Sequence, residues 1–74
     1  EESIRDTLIR KGIECEIAYP PDMRAVQLLL KATAPDGTPV EAWALIDKED
    51  APEVMEREMR ICYQSLVHAG VVEA

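Results

Sequence analysis

The sequence predicts a small α+β domain in which a three-stranded antiparallel sheet carries two helices on one face, in the order α-β-β-β-α. Two runs of β-type residues flank the turn sequence Ala34-Pro35-Asp36-Gly37, a third alternating run precedes them, and helical periodicity appears towards both chain ends. Helices gathered on one face of an antiparallel sheet form a common two-layer architecture. The length of 74 residues allows one modest core, so residues 1–74 are assigned to a single domain.

The central hairpin joins residues 24–33 to residues 38–47. Pro35 suits the second position of a type I turn, and Gly37 can take the left-handed conformation that closes a bulged hairpin. Counting outward from a pair between Ala34 and Thr38 gives the register. One face is then wholly apolar, with the pairs Ala32–Val40, Leu30–Ala42, Leu28–Ala44 and Val26–Ile46. The other face pairs Lys31–Glu41, Leu29–Trp43, Gln27–Leu45 and Ala25–Asp47, and we expect Lys31 and Glu41 to form an ion pair.

A short helix is predicted over residues 1–11. Ser3 caps its start with Asp6 three residues later, and Gly12 ends it. Its predicted apolar stripe consists of Ile4, Leu8 and Ile9.

The first strand is predicted over residues 13–19, because apolar and polar residues alternate there. Its inward residues are Ile13, Cys15, Ile17 and Tyr19, and its outward residues are Glu14, Glu16 and Ala18. The sequence Pro20-Pro21-Asp22 predicts a turn before the hairpin. The simplest sheet is therefore a meander with the first strand of the hairpin in the middle.

The second helix is predicted from Pro52 to about Ala69, with Asp50 as its capping residue and Gly70 as its stop. The predicted inward stripe is Met55, Met59, Cys62, Leu66 and Ala69. The predicted outward residues are Glu53, Glu56, Arg57, Glu58 and Arg60. Val71 and Val72 either fold back on the core or fray.

The composition excludes several classes of function. Fifteen acidic residues against eight basic ones give a formal net charge of -7, which disfavours binding to nucleic acid or to anionic membranes. No apolar run reaches the ~18 residues of a membrane span, and no signal-peptide pattern opens the chain. Cys15 and Cys62 lack the spacing of a disulfide framework or a zinc site, so we expect reduced thiols in a cytoplasmic protein.

The order α-β-β-β-α is also that of the double-stranded RNA-binding domain, and the resemblance is limited to element order. Such a domain needs lysines at the start of its last helix to contact phosphates. This chain carries Pro52, Glu53, Glu56 and Glu58 there. The charge has the wrong sign, so duplex RNA binding is not expected.

Candidate catalytic groups are few. Cys15, Cys62 and His68 could form a thiol or metal site, but buried cysteine commonly acts as a small hydrophobe. The acidic residues follow no catalytic spacing and indicate a solvated surface. No nucleophile motif or phosphate-binding glycine loop is present. We therefore expect no catalytic, cofactor-binding or metal-binding residue, and no cofactor.

Three large apolar residues remain outside the predicted core. If both helices cover the Leu28 face, then Leu29, Trp43 and Leu45 lie together on the other face, where they indicate a protein contact surface. The alternative is that Val71 and Val72, or further chain, cover them. We expect a non-enzymatic interaction module that self-associates or binds a partner protein. The alternatives are an acidic decoy for a basic nucleic-acid-binding protein and, third, a small enzyme.

Overall fold

The structure is a computed structural model, and it describes residues 2–73. The elements are α1 (Ile4–Arg10), β1 (Glu14–Ala18), β2 (Ala25–Thr33), β3 (Pro39–Asp47) and α2 (Ala51–His68). The strands form one antiparallel sheet in the order β1-β2-β3. The predicted α+β order is therefore confirmed. The predicted start of the first helix at Glu1 lies outside the described residues.

Two backbone hydrogen bonds close the turn between β2 and β3. The Ala34 N–H donates to the Thr38 carbonyl at 2.8 Å, and the Gly37 N–H donates to the Ala34 carbonyl at 2.9 Å. Gly37 has a φ of 90°. The Asp36 carboxylate accepts the Thr38 N–H at 2.9 Å, and this bond lowers the pKa of Asp36. Every predicted pair between β2 and β3 is present, so the register is confirmed.

The predicted ion pair between Lys31 and Glu41 is wrong. Lys31 Nζ instead lies 2.9 Å from Glu16 Oε2 on β1. Lys31 faces Glu14 on one side and Glu41 on the other, and Glu16 is the diagonal neighbour. Strand twist brings one diagonal of each pair closer, and a lysine is long enough to reach it. The hydrogen bond with Glu16, followed by its charge, raises the pKa of Lys31.

The core lies between the sheet and the two helices. Its fully buried side chains include Leu8 of α1, Leu28 and Leu30 of β2, and Met59 and Leu66 of α2. The helices therefore cover the predicted apolar face. In the residues described, no buried side-chain nitrogen or oxygen lacks a hydrogen bond, as expected for a small apolar core.

Ile9 and Tyr19 do not face inward as predicted. Ile9 is 76% exposed because it is rotated about 100° from Leu8 around a helix only two turns long. Tyr19 is 64% exposed because β1 ends at Ala18, and the alternation ends with it. Cys15 and Ile17 are half-buried.

The inward side of α2 is shifted from the predicted stripe. Met59, Cys62 and Leu66 are buried and Met55 is half-buried, but Ala69 follows the last turn and is exposed. Tyr63 is buried at 8% exposure and was not predicted. It lies four residues after Met59, on the same side of the helix.

The two ends of α2 differ from each other. Asp50 occupies the capping position, but its side chain makes no capping hydrogen bond since its backbone is already helical, with φ -91° and ψ -16°. At the other end, the Val71 N–H donates to the Leu66 carbonyl at 3.0 Å, and Val71 is buried. Val71 therefore folds back on the core, which was one of the two predicted outcomes.

A candidate protein-contact surface on the open sheet face

The side of the sheet opposite the helices is called here the open face. It consists of rows of facing side chains set by the pairing of the strands. Glu14, Lys31 and Glu41 form one row; Glu16, Leu29 and Trp43 the next; and Ala18, Gln27 and Leu45 the third. Ala25 and Asp47 form a fourth row at the end away from the turn. One half of the open face is therefore mainly charged, and the other half is mainly apolar.

The apolar half is accessible to solvent. Trp43 is 68% exposed and Leu45 is 54% exposed, and Leu29 beside them is half-buried. By contrast, Leu28 and Leu30, the neighbours of Leu29 along β2, are fully buried. Leu29, Trp43 and Leu45 therefore lie together on the open face, as predicted from the sequence.

A shallow depression of about 400 Å³ lies between these side chains. It is lined by Gln27, Leu28, Leu29, Trp43, Ala44 and Leu45. Val71 and Val72 do not fill it, because they pack against the helix-side core. A depression with mainly apolar walls beside an exposed tryptophan is suited to an apolar side chain of another protein.

The charges around the depression are mainly negative. Within the three strands, the open face carries the carboxylates of Glu14, Glu16, Glu41 and Asp47 against the single ammonium of Lys31. Glu16 is paired with Lys31, whereas Glu14 and Glu41 take part in none of the ion pairs among residues 2–73. The face therefore favours cations near its apolar half.

The two cysteines are free thiols in different surroundings. Cys62 is buried, and Cys15 is half-buried in a depression of about 220 Å³ whose other lining residues are Arg5, Leu8, Ile9 and Ile13. Burial is the main cause that raises the pKa of both thiols. A neutral thiol is a poor nucleophile. No histidine or carboxylate is among the residues that line the depression.

His68 is more exposed to solvent than either cysteine. It is exposed in the last turn of α2, whereas Cys62 lies in the core. Across residues 2–73, no cluster of three or more histidine, cysteine, aspartate or glutamate side chains is placed to hold a metal ion.

Comparison with known proteins gave no match. No family model, curated protein or solved structure matches the chain. Within the described range, neither helix has the length and apolar character required to cross a bilayer.

Sequence reasoning missed one feature beside the open face. On the helix side of β3, Val40, Ala42 and Ala44 are half-exposed, although their partners on β2 are buried. The strand order leaves one edge of β3 without a neighbouring strand. The predicted meander topology could have indicated this exposure, because the last strand of a meander lies at an edge of the sheet.

Proposed function

We propose that this chain is a non-enzymatic protein-interaction module that binds a partner protein through the open face. The observation that carries the proposal is the group of exposed Trp43 and Leu45 with half-buried Leu29, around a depression of about 400 Å³. Exposing large apolar side chains together opposes solubility, and on a monomer such a patch usually marks an interaction site. Tryptophan is also enriched among residues that dominate binding energy.

The charge of the open face supports one kind of partner. Four carboxylates and one ammonium around the apolar half favour a partner with an apolar centre and basic residues at its rim. A second copy of this chain placed face to face would bring two negative surfaces together. The face is therefore assigned to a different protein.

The test is a selection of peptides displayed on phage against the immobilised chain, followed by affinity measurements of the enriched peptides on the original chain and on the Trp43→Ser variant. We expect the enriched peptides to combine a large apolar residue with lysine or arginine. Their affinity for Trp43→Ser should be at least about tenfold weaker, since truncation of a central interface residue costs roughly 2 kcal/mol or more.

A matched control tests whether peptide binding depends on the open face or on any exposed apolar side chain. Ile9→Ser also removes an exposed apolar side chain, 76% exposed, but from α1 rather than from the open face. It should leave peptide affinity unchanged. Trp43→Ser should also leave the melting temperature nearly unchanged, because the core does not contain Trp43. If every selected peptide binds Trp43→Ser as well as the original chain, the open face is not the binding site.

The acidic decoy is the second candidate, and the net charge of -7 is the observation that favours it. A decoy binds basic peptides without an apolar residue, and its affinity falls steeply as salt rises. Binding through the open face retains most of its affinity at high salt because burial of apolar surface is not screened. Measuring the selected peptides at low and high salt decides between the two.

A further inference from the structure

The outer edge of β3 carries unpaired backbone groups at alternate residues. The bonds from Ala34 N–H to the Thr38 carbonyl and from Lys48 N–H to the Arg24 carbonyl show that even-numbered residues of this strand bond to β2. In an antiparallel ladder, the residues between them point their N–H and C=O groups the other way. These residues are Pro39, Glu41, Trp43, Leu45 and Asp47.

The donors and acceptors on this edge are equal in number. Four residues offer an N–H, because Pro39 has none. Four residues offer a carbonyl, because the Asp47 carbonyl already accepts the Asp50 N–H at 3.0 Å. The proline that lacks a donor and the aspartate whose acceptor is occupied are the first and last residues of the strand.

The edge has only part of the usual protection against pairing, namely the carboxylates of Glu41 and Asp47 and one proline. β3 is nine residues long, whereas β1 at the opposite edge has five. β3 contains no lysine, and its one proline is at the first position of the strand. On the helix side of β3, Val40, Ala42 and Ala44 pack against the core and are half-buried rather than fully buried. A further strand along this edge would cover them.

We propose that β3 pairs with β3 of a second copy of this chain, antiparallel and in full overlap, to form a continuous six-stranded sheet. In this register Trp43 faces Trp43 of the second copy across the twofold axis. Glu41 faces Leu45 of the second copy, and Pro39 faces Asp47. The proposal rests on the edge of β3 and stands independently of the peptide binding assigned to the open face.

Full overlap satisfies every edge group. The Glu41, Trp43 and Leu45 N–H groups of each copy meet carbonyls of the other, and the Asp47 N–H meets the Pro39 carbonyl. The missing donor of Pro39 then faces the carbonyl of Asp47, which needs no donor. No carboxylate lies directly opposite another carboxylate.

Other registers of the paired strands leave a carbonyl unpaired or bring two carboxylates together. A slip of two residues towards the turn places Leu45 opposite Pro39, which leaves the Leu45 carbonyl without a donor. A slip of two residues the other way places Glu41 opposite Asp47, and like charges directly opposite each other are destabilising. Face-to-face stacking uses none of the edge groups.

The experiment measures mass in solution by sedimentation over a concentration series, for the chain and for two variants at one position. Glu41→Pro removes an outward N–H that has no partner in the single chain, so the fold keeps its ladder. Glu41→Gln is the control that keeps the N–H and removes only the charge. We expect Glu41→Pro to raise the dimer dissociation constant at least about tenfold, because both copies lose a hydrogen bond, and Glu41→Gln to dimerise at least as well as the original chain.

Amide hydrogen exchange supplies a test that needs no variant. The N–H groups of Glu41, Trp43 and Leu45 should exchange rapidly in dilute protein and become protected as concentration rises, and those of Val40 and Ala42 should be protected throughout. Raising salt should strengthen the dimer, because two chains of charge -7 repel each other less when screened.

The outcomes separate this proposal from the proposed function. Leu29→Ser should abolish peptide binding by the open face and leave the dimer intact, because Leu29 lies on β2, away from the edge. A mass of one chain at every concentration, or a folded Glu41→Pro that dimerises like the original, would overturn the edge dimer. Neither result would affect the peptide selection.

Discussion

Leu28 and Leu29 are adjacent and chemically identical, yet they have different environments. Leu28 is fully buried against the helices, and Leu29 lies on the open face beside Trp43. Successive side chains of a strand point to opposite sides of a sheet, so the register alone decides which leucine enters the core. The turn at Gly37 holds that register, and its backbone conformation is therefore part of the site.

Gly37 gives a prediction at the residue scale. Its φ of 90° is unfavourable for a side chain, although a Cβ there would contact nothing within 4 Å. Gly37→Ala should therefore cost about 1–2 kcal/mol through backbone strain alone. In a domain of this size that lowers the melting temperature by roughly 4–8 °C per kcal/mol. Gly37→Asn should cost less because asparagine tolerates this region, and equal losses for both variants would contradict the backbone explanation.

At the scale of elements, α1 shows how far a short helix depends on its neighbours. It has seven residues, which is too short for stability in isolation. Ser3 caps it by accepting the Asp6 N–H at 3.1 Å, and Ile4 and Leu8 bury its inner edge. Cap and docking together hold it over β1 and α2.

A pair of adjacent substitutions tests that dependence. Leu8→Ala should destabilise the domain by about 2–5 kcal/mol, the range for large-to-small changes in a core, since Leu8 is 1% exposed. Ile9→Ala removes a side chain of similar size that is 76% exposed, so it should change the free energy of unfolding by less than about 0.5 kcal/mol. Urea unfolding of both variants measures the difference. Similar losses in the free energy of unfolding for both variants would show that α1 is rotated so that Ile9 also faces the core.

At the scale of the whole molecule, charge separates this chain from the RNA-binding domain that shares its element order. The start of α2 presents exposed Pro52, Glu53 and Glu56 and half-buried Glu58, where phosphate contacts would need cations. The net charge of -7 adds a repulsion that acts over the whole surface.

We therefore expect no binding to duplex RNA or DNA at physiological salt. Release of counterions from the phosphates supplies most non-specific affinity, and a chain of net charge -7 is poorly suited to displace them. Fluorescence anisotropy with labelled duplexes measures this. A micromolar complex that weakens as salt rises would contradict the charge argument.

The register of the hairpin was predictable because its signals are local. Pro35 and Gly37 define the turn, and counting from it placed every facing pair of β2 and β3, including Leu29 with Trp43. The caps and stops at Ser3, Gly12 and Gly70 are local in the same sense. Backbone preferences of a few adjacent residues decide such features before the chain folds.

Only the tertiary structure decided which groups meet across the sheet and between the layers. Lys31 pairs with Glu16 rather than Glu41, and Tyr63 enters the core while Ile9 does not. These outcomes depend on sheet twist, on the rotation of each helix and on where β1 stops. Likewise, the half-exposed Val40, Ala42 and Ala44 result from the position of the helices relative to an edge strand. A sequence pattern assigns a residue to one side of an element, but packing between elements decides how fully that side is covered.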